Sequence, residues 1–175
     1  MNEELRKVIA DTQARYKADP TEAQVTFRSE SVLQSGLQSH VSMRDHKLTV
    51  DEPEVLGGKD TGPNPVELIL GALGSCQEIT YRAYATALGI PLDEVSVTLD
   101  GDIDLRGFFG VDDSVRPGYG AIRGTVHLTS TAPEADLEML RGAVNAHCPV
   151  LDILTKGVPV DLQLDLRQPV TAAAE

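Results

Sequence analysis

The only two cysteines of the 175-residue chain are Cys76 and Cys148. Cys76 ends the stretch TGPNPVELILGALGSC, and Cys148 lies in HCPV, 72 positions later. A thiol does chemistry as its thiolate, as a nucleophile or as half of a dithiol–disulfide couple. A cysteine on a helix stripe is also a small apolar core residue. The spacing is neither C-x-x-C nor a zinc-ligand pattern, so contact between the two depends wholly on the fold. The chain reads as cytosolic, where a permanent disulfide staple is disfavoured and any pairing is transient and chemical. Cys76 lies on an apolar stripe, which raises a thiol pKa. Reactivity there requires a nearby cation or a helix N-terminus. Cys148 falls at a helix break, four residues after Val144 on the same stripe. Pro149 suits the first position of a further short helix, which makes Cys148 its N-cap, where free N–H groups favour a thiolate. His147 points about 100° away on a helix and reads as a surface histidine.

The elements that must position these thiols follow from periodicity. Residues 1–20 form an N-terminal amphipathic helix, with Leu5, Val8, Ile9, Thr12 and Tyr16 on one side and Asp19-Pro20 ending it. Val25 and Phe27, Val41 and Met43, and Leu48 and Val50 alternate as three strands joined by QSG and RDHK turns. After a Gly/Pro-rich loop, Asn64 fits an N-cap, Pro65 the first helical position and Glu67 a capping box. Apolar residues then keep a helical period from Ile69 to Leu88, and Gly89 and Pro91 stop the helix. Residues 65–88 form a long, largely buried central helix, whose small Gly71, Ala72, Gly74 and Ser75 suit close packing.

Strict alternation continues from Val95 to Leu105 and from Ile122 to Leu128, around the loop RGFFGVDDSVRPGYG. A second helix runs through Leu137, Leu140 and Val144, capped at Thr131 or Ala132. The segment VPVDLQLDL, with Val158, Val160, Leu162, Leu164 and Leu166 in step, predicts a closing strand. Residues 168–175 read as a loose tail. This order is α+β, antiparallel sheet with helices on one face.

Composition limits the partners. The net charge of −12 argues against nucleic acid and anionic membranes. No apolar stretch approaches the roughly 20 residues of a spanning helix. DGDID lacks the residues of a calcium loop, and GGKDTG lacks the order of a phosphate-binding loop.

GPNPVELILGALGSC and CPV together resemble the OsmC/Ohr family of thiol-dependent hydroperoxide reductases. The family pattern is a Gly-x-x-Pro loop, a PxEL helix start, a small-residue run ending in cysteine, and a second cysteine about 70 residues later. LGGKDTGPNP and DLRGFFGVDD look closer to the broader OsmC-like subgroup. The resemblance spans roughly residues 25–166 and implies an OsmC-like domain over 21–167. It implies antiparallel sheets around a long central helix and a second helix, in an intertwined homodimer with its sites at the interface. It implies Cys76 as the peroxide-attacking thiol and Cys148 as the resolving one, with a small hydroperoxide as substrate. No bound cofactor or metal is implied, only an external dithiol reductant. The family's activating glutamate stands ten residues before the first cysteine, where this chain has Val66, and Glu67 follows it. Its activating arginine comes from the early strands, where Arg28 and Arg44 are the candidates. Two further readings stay open: a non-enzymatic ligand-binding or redox-sensing module, and two core cysteines with no chemistry.

Overall fold

The computed structural model describes residues 3–166; the tail expected over 168–175 lies outside them. Helix α1 (Glu3–Ala18) has acidic residues in its first turn and Arg15 and Lys17 in its last, complementing the helix dipole. Its half-buried stripe of Leu5, Ile9, Thr12 and Tyr16 is the amphipathic face, and it lies against the long helix described below. Val8 faces solvent instead.

Strands β1 (Glu30–Leu33), β2 (Ser39–Met43) and β3 (His46–Val50) form an antiparallel sheet in that order. The first strand lies later than the alternation of Val25 and Phe27 predicts. Glu30 already pairs with Ser42, and β2 turns back after Met43, so no β2 ladder remains for residues 25–29. Phe27 is consequently 86% exposed.

The loop after β3 is built around one carboxylate. Asp51 accepts N–H groups of Glu52, Lys59 and Thr61 and the Thr61 hydroxyl at 2.7 Å. That hydroxyl is the foremost cause holding its carboxyl below the usual range. The loop closes so tightly that a Cβ on Gly58 would stand 1.8 Å from the Glu52 carbonyl oxygen, and one on Gly62 2.2 Å from that of Thr49. It delivers the chain to Asn64, which caps helix α2 (Pro65–Leu88). Asn64 Oδ1 accepts the Glu67 N–H and Glu67 Oε2 accepts the Asn64 N–H, both at 2.8 Å. Gly89, at φ 74, ends α2 in the left-handed conformation expected of a C-cap.

Strands β4 (Glu94–Ile103) and β5 (Tyr119–Thr129) pair as a long antiparallel ribbon packed on α2. Gly74 faces Val97 and Leu99, where a small α2 residue allows close approach. Tyr119 lays its ring on Gly101 and donates its hydroxyl to the Val66 carbonyl at 2.9 Å, pinning the ribbon to the start of α2. Leu105, expected in β4, instead opens the one-turn helix α3 (Leu105–Phe108), because Asp104 accepts the Arg106 N–H as its cap. Helix α4 (Glu134–His147) begins after Pro133, slightly later than the predicted cap, and α5 (Pro149–Lys156) follows with Cys148 as its N-cap.

The core lies where α2, α4 and the ribbon meet. Tyr81, Ala85, Ile90, Leu92, Leu140 and Val144 are buried there, flanked by Val95, Val126, Leu128 and Leu137. Burying a Leu or Val side chain contributes about 1.5–3 kcal/mol, so this aliphatic cluster supplies much of the fold's stability. The architecture is α+β, as predicted. Two predicted features differ in the protomer. The central helix leaves Ile69, Ala72, Ser75 and Ile79 exposed on one side. Residues 158–166, expected as a strand, pair with no strand among the described residues. Alternation encodes an apolar face but not the edge that will pair with it. No helix among the described residues is long and apolar enough to cross a membrane.

Candidate active site

Helix α2 carries Cys76 on the side facing α4 and α5, and the α4–α5 break carries Cys148. Their sulfurs stand 3.4 Å apart, with the Cys148 thiol directed at Cys76. A disulfide requires about 2.05 Å, so this is a reduced pair in contact. Cys148 is buried and Cys76 half-buried. The break that places Cys148 is local chemistry: its N–H still closes the α4 ladder on Val144 at 2.9 Å, while Pro149 begins α5.

Burial pushes the Cys76 thiol up, and the neighbouring Cys148 adds to the rise. Two groups oppose it: the Val150 N–H, foremost, and the Thr80 hydroxyl. The free N–H of the first α5 turn therefore serves Cys76, although the spacing had suggested Cys148. Cys148 makes no side-chain cap bond to α5. Thr80 also donates to the Cys76 carbonyl oxygen at 2.7 Å, which ties the hydroxyl to this turn. Sequence reasoning missed Val150 and Thr80. The available signals were Pro149 immediately before a free amide, and a hydroxyl one turn after Cys76.

The other predicted site residues stand elsewhere in the protomer. Glu67 is occupied by the capping box at the α2 start. Arg28 pairs with Glu30 at 2.5 Å on the surface. Arg44 sits in the β2–β3 turn at φ 56. The structure brings these two arginines together: both line an open groove of about 750 Å³ with Phe27 and Met43, which neither cysteine lines. Arg82 donates to the Leu92 and Asp93 carbonyls, and Arg106 pairs with Asp104 and Asp112. His147 stacks on Tyr84 with centroids 5.1 Å apart, and its Nδ1 bonds the Ala143 carbonyl oxygen at 2.7 Å. That leaves its ring turned to solvent rather than to the sulfurs.

The sequence profile of the OsmC-like protein family matches residues 58–163, which include both cysteines. No curated protein sequence matches the chain. Several solved structures share its fold. An OsmC-like protein from Mycoplasma pneumoniae is 19% identical over 77% of this chain and 90% of its own, with TM-score 0.65. An organic hydroperoxide resistance protein OsmC from Legionella pneumophila is 22% identical over 76% and 91%, with TM-score 0.58. A putative organic hydroperoxide resistance protein from Vibrio cholerae, with captopril bound in one of its active sites, is 19% identical over 75% and 87%, with TM-score 0.55.

Proposed function

The chain belongs to the family of OsmC-like proteins, and we propose that it reduces organic hydroperoxides with its two thiols, as a homodimer. The observation that carries this reading is the 3.4 Å contact between the sulfurs of Cys76 and Cys148. The names of structural relatives as organic hydroperoxide resistance proteins support the substrate class.

The Cys76 thiolate attacks the terminal oxygen of ROOH. The O–O bond breaks, the alkoxide takes a proton and leaves as ROH, and Cys76 becomes a sulfenic acid. The Cys148 sulfur, as its thiolate, then attacks the Cys76 sulfur. The displaced hydroxide takes the proton given up by the Cys148 thiol and leaves as water. The sulfurs close by about 1.4 Å to reach disulfide length. An external dithiol restores both thiols by exchange and is itself oxidised. The Val150 N–H favours the attacking thiolate.

The dimer reading rests on what the protomer leaves uncovered. The β1–β3 sheet makes no substantial contact with any helix or with the ribbon, and the apolar residues of 158–166 face solvent. A second copy is the partner that the resemblance implies, and it would bring the Arg28–Arg44 groove near the other subunit's thiols. A redox-sensing or ligand-binding role is the second reading. It is favoured by Val66 at the family's glutamate position and by the absence of any guanidinium against Cys76 among the described residues. Turnover separates the two. Sustained loss of an organic hydroperoxide with a dithiol, abolished in Cys76→Ser, supports the enzyme. Disulfide formation in one cycle without dithiol-driven turnover supports the sensor.

A further inference from the structure

The loop that follows β4 is ordered by its polar groups and presents its apolar ones. Arg106 pairs with Asp104 at 2.6 Å and reaches Asp112 at 3.5 Å. Asp112 in turn accepts the Ser114 N–H at 3.0 Å and its hydroxyl at 2.6 Å. Gly107 lies so close to the returning chain that a Cβ on it would stand 2.6 Å from the Val115 and Arg116 carbonyl oxygens. These contacts close residues 104–116 on themselves. Phe108, Phe109 and Val111 are nevertheless more than half exposed. The two rings meet edge to face, with centroids 5.0 Å apart. A solvated linker has no need of such an aromatic cluster. Held in place outside the core, it has the character of an interaction surface.

A surface that fits it lies on the same chain. The open groove of about 750 Å³ beside β1 and the β2–β3 turn is lined by Phe27 and Met43, both exposed. Methionine adapts its shape to a neighbour and makes favourable contacts with aromatic rings. Charge matches as well. The side chains of Arg44 at the groove and Asp113 on the loop make no ion pair or hydrogen bond among the described residues. In a chain of net charge −12, most of a second copy's surface repels an acidic loop, and a groove with an unpaired guanidinium attracts it. The β1–β3 sheet makes no substantial contact with α3 or the ribbon, so the loop does not fill the groove of its own chain.

We propose that the Phe108–Phe109 loop of one subunit seats in the Phe27–Met43 groove of a second copy, with Asp113 facing Arg44. The inference rests on the homodimer reading above and names surfaces that form it. Loop and groove differ, so a two-fold axis places each loop in the other copy's groove and makes the contact twice.

The test puts the photo-crosslinker p-benzoylphenylalanine in place of Phe108 in the reduced, full-length protein, with ¹⁴N- and ¹⁵N-labelled copies mixed. Irradiation yields mixed-isotope crosslinks to residues 26–30 or 42–44. Phe108→Ser with Phe109→Ser weakens dimerisation in sedimentation by about thirty-fold or more. Arg44→Asp and Asp113→Arg each weaken it by about five-fold, and together they restore most of the loss. Four results overturn the proposal and leave the homodimer reading standing: crosslinks within one copy or to other surfaces, no crosslink in a protein that sediments as a dimer, a dimer unaffected by the paired Phe variant, or a double charge variant no tighter than either single one. A monomeric mass at every concentration overturns both.

Discussion

The α2–α4–ribbon body and the segments at either end of the chain use the same apolar alphabet to different effect. In the body, Leu140 and Val144 are fully buried. In the flanking segments, Phe27 is 86% and Leu162 89% exposed, although Leu162 belongs to the most regular alternation in the chain. Exposed apolar runs of this extent mark interaction surfaces. The body satisfies itself within one protomer. The flanks leave apolar surface uncovered, and on the proposed reading a second copy of the chain covers it through two-fold symmetry. Both sulfurs lie in the body, while the groove with Arg28 and Arg44 lies in the flanks. On the proposed reading, one protomer holds the redox pair and assembly completes its surroundings.

Three variants test that division. Leu140→Ala empties the centre of the body and should cost about 2–5 kcal/mol, read from the denaturation midpoint. A cost under about 1 kcal/mol would mean the core lies elsewhere. Leu162→Asp with Leu164→Asp should cost the body far less, yet shift the protein from dimer to monomer in sedimentation. If the pair leaves the mass unchanged, the flanks are not the interface. Asp51→Asn probes the loop that joins the two regions, with the smallest effect. Because the folded-state pKa of Asp51 is lowered, its carboxylate contributes stability above about pH 4, lost as pH falls through the folded value. The variant should be less stable than the parent at pH 7 and converge with it in strong acid. Parallel stability curves across this range would assign the loop's order to other groups.

What was legible in the sequence was local. Asn64, Pro65, Glu67 and Gly89 mark the ends of α2 because caps act through neighbours in the chain. Pro149 marks the α4–α5 break for the same reason. Strand partners were not legible. The three-strand sheet begins at Glu30 rather than Val25 because β2 is short, and alternation in 158–166 does not say whose edge it meets. At the candidate site, the residue types pointed to Cys76 and Cys148, but their contact is tertiary. The amide that serves Cys76 belongs to Val150, whose side chain carries no sign of that role.

The thiol pair is the centre of this account, and a single oxidation measures it directly. Reduced protein is mixed with a slight excess of an organic hydroperoxide, alkylated within seconds and mapped by peptide mass spectrometry. The 3.4 Å contact predicts a Cys76–Cys148 disulfide within one protomer, formed before any sulfinic acid and absent in Cys76→Ser. Unreacted thiols, or a Cys76 sulfinic acid beside a free Cys148, would contradict it.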